Sequence, residues 1–120
     1  VSTQVFVYGT LKRGCSNHRE MAGQIFVALA RTQPGFRLFD VGGYPGLVPW
    51  PGDKNGVEGE IWAVDDAALA RLDVFEGVDQ GLYERKPIPL QAPFANHVVH
   101  GYLYPASVAG RREVGSRWVE

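Results

Sequence analysis

Gln4-Val5-Phe6-Val7-Tyr8-Gly9-Thr10 is the stretch on which the fold class turns. Gln4, Phe6 and Tyr8 fall on one face and Val5 and Val7 on the other, the two-residue period of a strand. Apolar side chains on both faces predict a strand covered on both sides. Gly9 closes it, and residues 9–14 read as a loop leading into a short helix, with Asn17 as N-cap and Glu20 completing a capping box. Further along, residues 24–31 and 36–41 read as strands on either side of the Gln33-Pro34-Gly35 turn. Residues 42–56 carry five glycines and three prolines and read as an irregular loop. Residues 57–64 are strand-like. Asp65 or Asp66 then caps a helix that runs through Phe75 and stops at Gly77. Two more strands, residues 82–90 and 97–104, precede a polar tail ending at Trp118. Pro87 and Pro89 mark an edge or a fraying strand. Strands dominate, so the expected class is α+β, with a mostly antiparallel or mixed sheet curled enough to protect its edges.

Composition narrows the function classes. The 120 residues are the size of one domain, so residues 1–120 are expected to form a single unit. Fifteen glycines and eight prolines imply many turns and exclude a long-helix bundle. A formal net charge of −1 supplies no electrostatic footprint for nucleic acid or an anionic membrane, and no apolar run reaches the roughly 20 residues of a membrane span. The single cysteine, Cys15, excludes an internal disulfide and a cysteine-rich zinc site and fits a reducing compartment. With no visible export signal, the expected location is cytoplasmic.

Several chemistries are absent. The segment from Gly9 to Ser16 has the outline of a phosphate-binding loop, but Cys15 occupies the lysine position. There is no G-x-S-x-G elbow. Cys15 and His18 could meet across a turn, yet a small thiol beside a surface histidine accounts for them more simply. His97 and His100 point to opposite faces of a strand, so the two cannot hold one metal ion and metal catalysis is not expected.

Three features do carry chemistry. Leu69, Leu72 and Glu76 lie at i, i+3 and i+7, so Glu76 shares the apolar face of its helix and projects inward at the C-terminal end. Burial and the helix dipole both disfavour its charge there and push its pKa from about 4.3 towards neutrality, as a general base requires. The alternative is a frayed last turn that leaves Glu76 in water. Glu58, Glu60 and Glu84 read as paired or solvated carboxylates. The loop Tyr8-Gly9-Thr10-Leu11 follows a strand end and can turn consecutive N–H groups towards an anion, or serve simply as a strand-to-helix turn. Lys12 and Arg13 are the nearby cations. Finally, Tyr8, Tyr83, Tyr102 and Tyr104 are tyrosines whose hydroxyls need partners if buried, and Tyr102 and Tyr104 share a strand face with His100.

Taken in order, these residues resemble a known family. Val5-Phe6-Val7-Tyr8-Gly9-Thr10-Leu11-Lys12-Arg13-Gly14 followed by Asn17-His18 looks like the opening of the γ-glutamylcyclotransferase superfamily, especially its AIG2-like and γ-glutamylamine cyclotransferase branch. Val57-Glu58-Gly59-Glu60, Leu72-Asp73-Val74-Phe75-Glu76-Gly77, Tyr83-Glu84-Arg85, Gly101-Tyr102-Leu103-Tyr104 and Gly115-Ser116-Arg117-Trp118 continue the match along nearly the whole chain. The resemblance implies a small mixed-strand β-barrel with a few short helices and a cavity at one end. It implies that Glu76 is the acid/base and that Tyr8, Gly9, Thr10 and Leu11 hold a glutamyl head group. Tyr83 would border the cavity, Tyr104 would contribute to binding, and the Gly43-Tyr44-Pro45 loop would shape the mouth. The implied reaction expels an amine from a γ-glutamyl amide and forms 5-oxoproline without cofactor or metal. The alternatives are a γ-glutamyl-removing enzyme of a biosynthetic pathway, or a non-catalytic binder of a small amino-acid-like ligand.

Overall fold

The computed structural model describes residues 2–120. Its strands are β1 (Ser2–Val7), β2 (Ile25–Arg31), β3 (Phe36–Asp40), β4 (Pro45–Pro49), β5 (Glu58–Asp65), β6 (Glu84–Pro87), β7 (His100–Leu103) and β8 (Arg112–Gly115). One helix, α1 (Asp66–Phe75), follows β5 directly. They form a mixed eight-stranded sheet in the order β2-β5-β1-β7-β4-β3-β8, with β6 also paired to β7, curled into a half-barrel. A bridge between Thr32 and Leu90 draws the end of β2 towards the chain beyond β6.

Strand β1 is covered on both faces, as its alternation predicts. Val5 and Val7 pack with Leu11, Met21, Trp62, Leu72, Tyr83 and Tyr102 in a core under α1. Phe6 and Tyr8 enter a second core with Leu38, Leu47, Ile61, Leu90, Val99 and Trp118. Helix α1 starts where Asp65 caps it, its carboxylate accepting the Ala68 N–H at 2.7 Å. It ends as expected at Gly77, which sits at φ 66°.

The structure corrects four expectations. Residues 42–56 are not wholly irregular, because β4 runs through them, antiparallel to β3 and parallel to β7. Pro45 and Pro49 occupy its two ends, where a missing N–H costs the ladder little. Gly46 is the residue that fits against Tyr104, whose Cβ lies 2.8 Å from where a glycine-46 Cβ would stand. The polar tail contains β8, antiparallel to β3. The 82–90 and 97–104 strands shrink to β6 and β7, and β6 is an edge strand as Pro87 suggested. Residues 18–21 form a single 3-10 turn, and the Asn17 side chain caps nothing.

One topological detail creates the site. Strand β6 occupies one edge of β7 along its whole length. On the other edge β1 pairs with β7 at Val5–His100 and β4 takes over at Leu47–Leu103, both parallel. The sheet therefore splits where β1 ends and β4 begins, and a cavity opens there.

Candidate active site

That cavity has a volume of about 290 Å³. It is lined by residues 6–11, by Tyr44 and Pro45, and by Phe75, Glu76, Leu82, Tyr83 and Tyr102. Asn17 also reaches it. Gly9 packs so tightly on Pro45 that a Cβ would stand 2.5 Å from the ring Cγ, which lets the two strand ends meet.

The loop is held by its carbonyls. Gly9 O accepts the Lys12 N–H at 3.1 Å, Thr10 O accepts the Asn17 N–H at 2.9 Å, and Leu11 O receives His18 Nδ1 at 2.9 Å. The N–H groups of Gly9, Thr10 and Leu11 have no acceptor among the described residues. Consecutive amides left free in a concave wall form a site for an anion or a carbonyl oxygen. The two nearby cations serve elsewhere: Lys12 Nζ donates to Trp118 O at 2.7 Å, and Arg13 pairs with buried Glu60 and lies over the Phe26 ring.

Glu76 follows the last residue of α1, its N–H bonded to Leu72 O at 2.8 Å. Its carboxylate has no hydrogen-bond or ionic partner among the described residues, and burial raises its pKa to about 7. The carboxyl is therefore poised to take and return a proton near neutrality.

Around it stand phenols that burial keeps protonated. Tyr83 Oη donates to Pro45 O at 2.8 Å, and burial followed by the neighbouring Glu76 charge drives its pKa upward. Tyr8 Oη donates to Tyr102 O at 2.6 Å, so it ties β1 to β7 beneath the cavity. Tyr102, which lines the cavity, donates to Asp73 Oδ1 at 2.8 Å, and the same oxygen accepts Arg85 Nε at 2.9 Å. Arg85 Nη1 in turn lies 2.6 Å from His100 Nδ1. This chain of bonds clasps the end of α1 to β6 and β7.

Tyr8, Gly9, Thr10, Leu11, Glu76 and Tyr83 share the cavity lining, together with Tyr44 and Pro45 of the expected mouth loop and the candidate Tyr102. Tyr104 does not. It lies beyond the end of β7 and packs edge-on against Tyr83, centroids 5.6 Å apart, so it backs the wall rather than forming it. The sequence reading missed Asn17, Phe75 and Leu82 as cavity residues. Phe75 could have been found from its place beside Glu76, and Asn17 from its place in the opening motif; Leu82 carried no local signal. Cys15 lies in a separate cleft with Arg31, Glu58 and Glu120, and burial followed by Glu120 raises its thiol pKa.

The chain resembles an AIG2-like protein of Mus musculus with a TM-score of 0.73 and 32% identity, covering 88% of this chain and 78% of that one. A uropathogenic Escherichia coli-specific protein gives a TM-score of 0.79 at 30% identity, covering 95% and 88%. The family described as gamma-glutamyl cyclotransferase, AIG2-like, matches residues 5–120, and the chain belongs to that family. A Vibrio cholerae relative is 37% identical over 98 residues, 82% of this chain and 80% of its own. The gamma-glutamylaminecyclotransferase of Homo sapiens is 42% identical over 94 residues, 72% of this chain and 61% of that protein. The chain thus spans about three fifths of the human relative's length.

Proposed function

We propose that the protein is a cyclotransferase that expels an amine from a γ-glutamyl amide and forms 5-oxoproline. The observation that carries this reading is an inward, unpartnered carboxyl with a pKa of about 7 in the same cavity as three free loop amides. A carboxyl titrating near neutrality can take a proton from the α-ammonium of a glutamyl group, a step that binding alone does not require.

The substrate brings its own nucleophile, so no serine or cysteine is required. The amides of Gly9, Thr10 and Leu11 hold the α-carboxylate, folding the chain until the α-nitrogen meets the γ-carbonyl carbon. Glu76 takes one proton from the α-ammonium, and the freed lone pair forms the new C–N bond. The tetrahedral intermediate collapses as the bond to the leaving nitrogen breaks. The two protons lost by the attacking nitrogen end on the departing amine, with Glu76 carrying them. Ring closure gains most from orientation, up to roughly 7–11 kcal/mol in favourable intramolecular cases. Tyr83, a donor already committed to Pro45 O, keeps the wall rigid.

Incubation with γ-glutamyl amides, γ-glutamyl amino acids and glutathione, followed for 5-oxoproline and free amine in equal amounts, tests the proposal. Release of free glutamate in place of 5-oxoproline would make the protein a hydrolase instead.

A further inference from the structure

The sheet has three edge strands among the described residues, β2, β6 and β8. Open edges invite pairing with another chain, and proteins usually blunt them with charge, proline or brevity. Two of the three are blunted. β6 is four residues long and carries Glu84, Lys86 and Pro87; β8 is equally short and carries Arg112 and Glu113. β2 runs for seven residues, and from Ile25 to Ala30 it has no charge, no proline and no glycine. Its far end is covered, because Arg31 O accepts the Gln91 N–H at 2.9 Å and Thr32 bridges to Leu90. Backbone groups two residues apart face the same edge, so the Leu29 N–H and C=O lie on the open side with Arg31 O. The uncharged stretch is thus the uncovered one.

Its side chains are exposed in a pattern that fits an added strand. Ile25 is 66% and Leu29 69% exposed, and Val27 between them is also in solvent. The ladder with β5 slips by one residue between Phe26 and Ala28, so Ile25 stands opposite Ala63 and Leu29 opposite Glu60. Directly opposed residues share a face, and positions 60 and 63 project from opposite faces. Ile25 and Leu29 therefore flank the edge from both sides of the sheet. A partner lying flat on one face would cover one of them. A strand laid along the edge covers both.

Charge identifies the partner. Near the start of β2, Gln24 Oε1 accepts the Asp65 N–H at 3.0 Å, which sets exposed Asp65 and Asp66 beside that end. At the other end Arg31 and Arg117 share Glu58, at 2.6 and 3.8 Å, leaving one positive charge in excess. β2 is thus acidic at one end and basic at the other. Two copies paired antiparallel through β2 bring each acidic end to the other's basic end, and the two-fold contact closes that edge in both.

We propose that the protein forms a two-fold dimer in which β2 of one copy pairs antiparallel with β2 of the other, joining the two sheets. The dimer does not depend on the reaction carried out in the cavity. Sedimentation velocity over a concentration series reads the monomer–dimer equilibrium, and hydrogen exchange reads the edge. The parent should dimerise in the micromolar range, and its Leu29 amide should exchange more slowly as dimer accumulates. Leu29→Lys puts a charge on the edge at a site already in solvent, so the chain should fold and its dimer Kd should rise by at least about tenfold. Ile25→Lys, on the opposite face, should do the same. Reversing signs tests the charge pattern. Asp66→Lys and Arg117→Glu should each weaken self-association several-fold, and an equimolar mixture of the two should recover it as a heterodimer, since each contact then joins opposite charges. A parent that stays monomeric into the high-micromolar range would overturn the second copy and leave the edge to an extended segment of another protein. A dimer unchanged by Leu29→Lys and Ile25→Lys, in chains folded by near-ultraviolet circular dichroism, would place the interface elsewhere and overturn the assignment. Failure of the mixed pair to recover association would overturn the antiparallel arrangement.

Discussion

Glu76 pays for its position in stability. Its carboxyl titrates near pH 7 in the folded chain and near 4.5 when unperturbed. Between those pH values the folded state therefore holds a proton that the unfolded state has lost. Stability falls as pH rises through that window and levels off above 7, a total of about 3 kcal/mol at most. Glu76→Gln keeps the shape and removes the charge. The variant should match its parent in denaturant midpoint at pH 4 and exceed it at pH 8. Its turnover of a γ-glutamyl amide should fall by at least about 10²-fold, while calorimetry still shows binding through the loop amides. The parent's kcat/KM should rise with pH to a plateau above about 7, and the variant should lose that limb. Normal turnover in a folded Glu76→Gln protein would reduce the residue to a structural role. Cys15 supplies the contrast. Its thiol lies in the other cleft and burial holds it protonated, so Cys15→Ser should leave turnover within a few-fold of the parent. The orientation of Glu76 was legible in sequence because three residues at helical spacing and a terminating glycine suffice to define one helix face.

At the scale of elements, the clasp at Asp73 ties the end of α1, which carries Glu76, to β6 and β7. One carboxylate oxygen, one turn before Glu76, receives both Tyr102 from β7 and Arg85 from β6. Asp73→Ala strands the Tyr102 hydroxyl and the guanidinium, at a cost of about 1–3 kcal/mol. Because Asp73 does not line the cavity, kcat should fall several-fold while KM stays near its parent value. Asp73→Asn keeps the oxygen that Tyr102 uses and should restore most of both. Unchanged kcat in folded Asp73→Ala would mean that core packing alone holds the helix end. None of this network could be read from the chain, since it joins residues 12 to 29 positions apart whose geometry depends on strand pairing. Strand β4 was hidden for a different reason. Its prolines and glycine look like loop residues, and only the placement of Pro45 and Pro49 at the strand ends, with Gly46 beneath Tyr104, reconciles them with a sheet. Where alternation or capping was local, as in β1, β5 and α1, the elements were legible; where composition stood in for geometry, they were not.

Across the whole molecule, periodicity shows which face of a strand is buried but not which strand lies beside it. Neither the parallel pairing of β7 with β1 and β4 nor the resulting split could be inferred from spacing. The same limit applies to the tail, read as merely polar. Trp118 is 8% exposed and packs in the core with Phe6, Tyr8 and Leu38. Ser116 O accepts the Glu58 N–H at 2.8 Å, Trp118 O accepts Lys12 Nζ at 2.7 Å, and the Glu120 carboxylate takes the Ser16 N–H at 2.7 Å. The tail thus grips residues 12–16, the segment that leaves the amide loop. Two variants separate its contributions. Trp118→Ala removes a core side chain and should cost about 3–5 kcal/mol, lowering Tm by more than about 10 °C. Lys12→Met keeps the aliphatic stem and loses only the bond to Trp118 O, so Tm should move little. If the tail steadies the loop amides, Lys12→Met should raise KM for γ-glutamyl amides several-fold with kcat nearly unchanged, because Glu76 is carried by α1 and not by the loop. Steady-state kinetics well below both melting temperatures provide the check. KM at the parent value in Lys12→Met would show that the turn bonds from Lys12, Asn17 and His18 fix the loop without help from the tail.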